Sequence, residues 1–204
     1  MQDAMDILKE VGNIAAAHGS IALSEILKKK INLDVPRTEL VSKENVQGKI
    51  AFEKVGIAVY SKIVTGLNGR VIFLLDEKNA FRLNELSYQM QTDSKGSGVL
   101  TEMGMSVIKE IGSMVTSAYV TAIGMMFKRV ILLGTPMLIS GTMHEILNIT
   151  VFTGGPESDD KILLVEAQFE EPESAIRGSF YLVLTPQAAA DIERVCRKML
   201  EELR

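Results

Sequence analysis

The chain has 204 residues, of which 47% are hydrophobic, so it is long enough to bury a sizeable core. Charged residues make up 24% of the sequence and the formal net charge is only -4, so neither the charge nor the absence of tryptophan favours nucleic-acid binding. A single cysteine, Cys196, excludes an internal disulfide and suits a reducing compartment. Because the apolar runs are strand-sized and the N-terminus is acidic, we expect a cytoplasmic protein without a signal peptide or a membrane-spanning segment.

The first half of the sequence predicts helices at both ends and strands between them. A helix is expected over residues 3–17, followed by a break at residues 18–20 and a second helix that Ser20 caps and that ends at residue 27. Pro36 is expected to end the short strand that follows. The strands are predicted over residues 31–35, 49–64 and 70–75, with a hairpin turn at residues 66–69 and a further helix over residues 77–90.

A polar segment, residues 92–98, interrupts all periodicity and is expected to form the hinge between two halves. After it, a helix is expected over residues 100–126, either straight or bent near Gly112. Beyond this helix the sequence predicts strands over residues 130–133, 145–152, 162–169 and 178–184, and a closing helix over residues 186–203.

The two halves repeat one another. Residues 6–13 read DILKEVGN and residues 106–113 read SVIKEIGS. The last strand aligns with its counterpart in the first half at an offset that is nine positions larger. The second half therefore has nine extra residues, which we place in the loop at 153–161. We therefore expect a single α+β unit over residues 1–204, internally duplicated with pseudo-two-fold symmetry, in which an antiparallel sheet packs against helices from both halves. The first repeat is predicted to span residues 1–92 and the second residues 99–204.

Three polar residues of the first helix, Asp6, Glu10 and Asn13, are spaced so that they share one outward-facing stripe. An amide can accept a hydrogen bond from a water and donate one to an anionic oxygen, so Asn13 could position a water for attack on phosphorus. The alternatives are that Asn13 marks a kink or is a solvated surface amide, and that Glu10 is an ordinary surface carboxylate. The apolar residues expected on the buried side are Ile7, Leu8, Val11, Ile14 and Ala15.

Glycines recur at the same repeat position inside both helices, at Gly12 and Gly112. A glycine inside a helix costs about 1 kcal/mol relative to alanine. This cost, incurred twice, favours a close approach of each helix to another helix or to a partner; the alternative is that glycine is simply tolerated at a kink.

Other chemistries have less support. The two histidines, His18 and His144, are far apart in sequence, and no Cys/His cluster has the spacing of metal ligands, so we expect no metal site. The methionines lie mainly at apolar helix positions and are predicted to belong to the core. Those in the second long helix are Met103, Met105, Met114, Met125 and Met126.

The pattern Asp6-x3-Glu10-x2-Asn13-x22-Pro36 resembles the signature of the CheC/CheX/FliY chemotaxis phosphatases, [Asp or Ser]-x3-Glu-x2-Asn-x22-Pro. The duplication extends the resemblance over nearly the whole chain and is most similar to the CheC branch. A FliY protein would carry an added flagellar-switch domain, which we do not expect here.

The resemblance implies an enzyme that hydrolyses the aspartyl phosphate of the response regulator CheY. In that family the asparagine positions the attacking water and the glutamate contacts a lysine of the regulator, which would give these roles to Asn13 and Glu10. The regulator supplies the phosphoaspartate and its Mg2+, so no cofactor of the phosphatase itself is implied. CheC proteins also bind the receptor deamidase CheD, so the alternative is a weakly catalytic or non-catalytic adaptor that binds and regulates CheD.

The second copy of the motif departs from the family pattern. Ser106, Glu110 and Pro136 are in register, but Ser113 stands where the asparagine is expected. A serine is shorter than asparagine and lacks the two-ended amide. By analogy with the loss of one oxyanion donor, turnover at this copy is expected to be ~100- to 1000-fold lower. We therefore expect one working site, in the first half, with Glu110 still able to dock a regulator.

Overall fold

The computed structural model describes residues 2–42, 45, 55–91, 101–152 and 161–202. The segments predicted as the hinge, the long loop and the start of the second strand fall largely outside these residues. The described elements are, in chain order, α1 (Gln2–Leu27), β1 (Asn32–Ser42), β2 (Val55–Thr65), β3 (Gly69–Asp76), α2 (Glu77–Gln91), α3 (Glu102–Phe127), β4 (Leu132–Leu133), β5 (Met137–Thr142), α4 (Met143–Leu147), a π-helical segment (Asn148–Phe152), β6 (Lys161–Glu171), β7 (Ile176–Leu184) and α5 (Pro186–Glu202).

The strands form one antiparallel sheet in the order β1-β6-β7-β3-β2-β4, and β5 also pairs with β2. Exchanging β1 with β4, β2 with β6 and β3 with β7 gives the same strand order, read from the opposite edge of the sheet. This symmetry confirms the predicted α+β unit with pseudo-two-fold symmetry. The repeat limits at residues 92 and 99 remain a prediction, because residues 92–100 lie outside the described ranges.

The two motif prolines interrupt equivalent strands at opposite edges of the sheet. Pro36 lies within β1, where the pairing with β6 shifts register between Asp34 and Arg37, so the prediction that it ends the strand is wrong. Pro136 lies between β4 and β5, which pair with successive stretches of β2. An edge strand tolerates proline because one side of its backbone has no partner strand to which an N–H must donate.

One face of the sheet is covered by α1, α2, α3 and α5, and the main core lies between these helices and the strands. Three phenylalanine rings, of Phe73, Phe169 and Phe180, pack together at its centre, with centroids 5.3 to 5.5 Å apart. Gly112 packs on this core: an added Cβ would lie 2.7 Å from Val59 Cγ2 and 2.9 Å from Phe73 Cδ1. The close approach predicted at Gly112 is therefore to the sheet, rather than to another helix or a partner. Gly12, its counterpart, is buried.

The predicted helix break at residues 18–20 is wrong, because α1 runs unbroken to Leu27. Gly19 lies against α3, where an added Cβ would meet Tyr119 Cβ at an ordinary 3.7 Å. Ser20 is buried and its Oγ donates to the carbonyl oxygen of Ile31 at 3.3 Å, instead of capping a second helix. Packing between helices outweighs the weak helix propensity of the glycine.

The strand predicted over residues 145–152 is also wrong. This segment forms α4 and the π-helical segment, which cover the other face of the sheet, while β5, just before it, was not predicted. Thr142 and Glu145 form a capping box that starts α4, and Arg70 of β3 donates to the carbonyl oxygen of Thr150 at 3.0 Å. The hairpin β2–β3, the helices α2 and α5 and the strands β6 and β7 agree with the sequence predictions. Within the described ranges, no helix is long and apolar enough to cross a membrane.

Candidate functional site

The polar stripe predicted on the first helix lies on the outer side of α1. Asp6 and Glu10 are exposed and Asn13 is half-buried. Val11 and Ala15, on the opposite side, are buried in the core. The helix therefore holds these polar groups at the surface through the packing of its other face.

Glu10 and Asn13 contact each other directly. Nδ2 of Asn13 donates a hydrogen bond of 3.4 Å to Oε2 of Glu10. The contact is long for a hydrogen bond and both groups lie at the surface, so a ligand could displace it at small cost. An anionic oxygen and a two-ended amide are thus presented side by side to anything that lies on this face.

The second copy of the motif lies on α3, which packs against α1. Ser106 and Glu110 are exposed and Ser113 is half-buried, as at the equivalent positions of α1. The hydroxyl of Ser106 donates to the carbonyl oxygen of Glu102 at 3.0 Å. This copy keeps the carboxylate but lacks an amide.

The motif prolines, Pro36 and Pro136, do not belong to either helical stripe. Each lies in the interrupted edge strand that follows its helix. Their equivalent placement extends the repeat beyond the helices but adds no polar group to the face that carries Asn13.

Several apolar residues of α1 and α3 that are predicted to be buried are exposed instead. Ile14 is 38% exposed, and the methionines at positions 103, 114 and 125 are between 48% and 61% exposed. The core prediction is therefore wrong for these four residues; Met105 and Met126 are half-buried. The methionine spacing of eleven residues could have indicated a shared line on the helix, but not that this line faces outward.

In the described part of the chain, no group of three or more His, Cys, Asp or Glu side chains could hold a metal ion. His18 and His144 are both exposed.

Comparison with known proteins bears on this same segment. Residues 4–40, which contain the whole first motif, match the model of the CheC-like family. The CheY-P phosphatase CheC of Bacillus subtilis is 29% identical over 124 residues, which cover 60% of this chain and 59% of that protein. The flagellar motor switch phosphatase FliY of the same organism is 22% identical over 182 residues, which cover 89% of this chain and 46% of that protein.

The fold agrees with these matches. The crystal structure of Thermotoga maritima FliY superposes with a TM-score of 0.75 at 20% identity, covering 97% of this chain and 98% of that one. The chain is thus similar to proteins of the CheC/FliY family in its first motif and in its fold. The matches span about half the length of the two curated CheC and FliY relatives. The match to the CheC-like model ends at residue 40, so the second motif on α3 lies outside it.

Proposed function

We propose that the protein is a chemotaxis phosphatase that hydrolyses the aspartyl phosphate of the response regulator CheY. The observation that carries the proposal is the surface pair of exposed Glu10 and half-buried Asn13, held side by side on α1 within the segment that matches the CheC-like family. The similarity to a protein named CheY-P phosphatase supports the choice of substrate.

Asn13 is the proposed catalytic residue. Its amide oxygen accepts a hydrogen bond from a water and directs the water's oxygen toward phosphorus, while its NH2 donates to a phosphoryl oxygen. As the new P–O bond forms, the bond between phosphorus and the aspartate oxygen breaks. The aspartate leaves as a carboxylate, and the water's protons remain with the inorganic phosphate and the solvent. Asn13 supplies position and charge stabilisation without acting as a base.

Glu10 is the proposed docking residue. A lysine ammonium of the regulator would pair with its carboxylate, replacing the long contact from Asn13 Nδ2 and leaving the amide available to the phosphoryl group. The Mg2+ that this chemistry uses would be bound by the regulator. Such a role places the protein in the cytoplasm with its substrate.

The second copy is proposed to bind without efficient turnover. Glu110 is exposed like Glu10, but Ser113 is shorter than asparagine and donates and accepts through a single oxygen, so it lacks the two-ended geometry of an amide. This loss also supports an alternative role, in which the protein is mainly an adaptor that binds and regulates CheD.

The test is the decay of radiolabelled phospho-CheY with the wild-type protein, Asn13→Ala and Ser113→Asn, each with and without CheD. The phosphatase proposal expects faster decay with wild type, a loss of ~100- to 1000-fold with Asn13→Ala, and a gain with Ser113→Asn. If the wild type leaves the decay rate unchanged under every condition, the catalytic assignment is wrong. A CheD-dependent effect that Asn13→Ala retains would favour the adaptor.

A further inference from the structure

Ile14 is an aliphatic side chain left at the surface beside the proposed catalytic amide. It follows Asn13 directly, is 38% exposed, and comes one helical turn after Glu10. Residues four apart on a helix are neighbours on its surface, with Cβ atoms roughly 6 Å apart. The face that presents Asn13 therefore carries a carboxylate and an aliphatic group next to each other.

The second repeat has the same arrangement. Met114 follows Ser113, is 48% exposed, and comes one turn after Glu110. A single exposed apolar residue is ordinary and needs no explanation. Here, however, both repeats keep a carboxylate followed four residues later by an exposed apolar side chain, although the amide between them is lost in the second. The carboxylate and the apolar residue are therefore kept together even where the amide is absent.

We infer that Glu10 and Ile14 together form the docking site for one lysine of the regulator, an inference that rests on the proposed function. The two groups match the two parts of a lysine side chain. Its ammonium pairs with the Glu10 carboxylate, and its four-carbon stem, which prefers apolar surroundings, lies along Ile14. The stem is about as long as the distance between two side chains that lie one helical turn apart, as Glu10 and Ile14 do.

This docking fixes the direction in which the regulator approaches. A carboxylate alone would hold the ammonium as a point charge and leave the stem free to swing. A second contact on Ile14 fixes the stem on one side of Glu10, and Asn13, on the other side of Glu10 around the helix, is left facing the phosphoryl group. Ile14 is thus a positioning and specificity residue, and Met114 is its counterpart beside Glu110.

The test compares Ile14→Gln with Ile21→Gln in the intact protein. Both residues are exposed isoleucines of α1, and Ile21 is the more exposed, at 55%. Glutamine is a good helix former, so both variants should keep the wild-type melting temperature. For Ile14→Gln we expect KM for phospho-CheY to rise about five- to thirtyfold with kcat within twofold of wild type, the effect of withdrawing one aliphatic contact. Ile21→Gln should leave both constants unchanged.

A binding titration separates this inference from the proposed function. Beryllofluoride-activated CheY, which cannot turn over, should bind Ile14→Gln about five- to thirtyfold more weakly than wild type or Ile21→Gln. Equal binding by all three proteins, or equal weakening by both variants, overturns the docking pair even if the wild type is an active phosphatase. If wild type and Ile21→Gln bind more tightly than Ile14→Gln, but the wild type does not accelerate the decay of phospho-CheY, the proposed catalysis fails while the docking pair stands.

Discussion

Gly112 of α3 lies so close to Val59 of β2 that an added Cβ would stand only 2.7 Å from the valine Cγ2. The absence of a side chain at Gly112 lets α3 rest directly on the sheet. Ser113, the next residue, is consequently half-buried while Met114 is exposed. This contact is one of those that set the position of the helix and the outward face of the second motif.

The first prediction compares the same substitution at two helix glycines. Gly112→Ala should lower the free energy of unfolding by about 1 kcal/mol, because overpacking of ~1 to 3 kcal/mol exceeds the propensity gain of ~1 kcal/mol. Gly19→Ala should raise it by about 1 kcal/mol, because the added Cβ would lie no closer than 3.7 Å to its neighbours. Urea unfolding of both variants measures the two changes. Stabilisation by Gly112→Ala would contradict the close contact.

The second prediction concerns the charge of Glu10. Glu10→Gln should raise KM for phospho-CheY ~10-fold and change kcat much less, because the substitution removes a charge pair with the regulator but keeps an acceptor near Asn13. The wild-type KM should also rise with salt, and this dependence should weaken in the variant. Glu25→Gln, an exposed carboxylate on the same helix, is the control. An unchanged salt dependence in Glu10→Gln would show that Glu10 does not dock the regulator.

The repeat and the helical period were enough to predict where the polar stripe lies. Asp6, Glu10 and Asn13 could be placed on one face because a helix period of 3.6 residues is a local property of the backbone. The symmetric order of the strands was likewise anticipated by the duplication, since two similar halves with one-sided sheets bury those faces against one another.

What could not be predicted depends on contacts between distant residues. Residues 145–152 are rich in β-branched side chains, which favours a strand, but they form helical turns that bury Ile146 and Leu147 against the second face of the sheet. The signal that could have corrected this is the pattern Thr142-x-x-Glu145, a capping box. Ile14 and the exposed methionines illustrate the same limit, because hydrophobicity alone does not tell which apolar residues lie outside the core.

The third prediction concerns Glu171, which is buried at the turn between β6 and β7. Its carboxylate accepts hydrogen bonds from the backbone N–H of Ser174 at 2.6 Å and of Glu173 at 3.0 Å. Burial acts to raise the pKa of Glu171, but these hydrogen bonds outweigh it and hold the pKa below its ordinary value of 4.5. Glu171→Gln should therefore cost about 1 kcal/mol of stability at pH 7.

The pH dependence of that cost follows from the lowered pKa. The carboxylate stabilises the fold fully above pH 4.5, and this contribution is lost as the pH falls through the folded-state pKa. The difference in unfolding free energy between wild type and Glu171→Gln should thus be constant near neutrality and shrink below pH 4.5. Glu85→Gln, on the exposed side of α2, controls for the loss of one charge. A difference that grows on acidification would contradict the lowered pKa.

The last prediction uses the equivalent ends of α1 and α3. Lys28 and Lys128 both have a left-handed backbone, with φ of 49° and 50°. The next amide in each case bonds back to the helix, from Lys29 to Ser24 at 3.3 Å and from Arg129 to Gly124 at 2.9 Å. This is the helix-ending arrangement that favours glycine, because a side chain is strained at positive φ.

Replacing either lysine by glycine should therefore raise the free energy of unfolding by about 0.5 to 1 kcal/mol, and the two changes should be nearly additive because the sites are separate. Lys9→Gly, at an exposed position inside α1, should instead lower the free energy of unfolding by about 1 kcal/mol, because the only effect of glycine there is its low helix propensity. Chemical denaturation of the three single variants and of the Lys28→Gly/Lys128→Gly double variant measures these signs. If Lys28→Gly and Lys128→Gly destabilise as Lys9→Gly does, the two helices do not end in the left-handed conformation, and the equivalence of their ends does not hold.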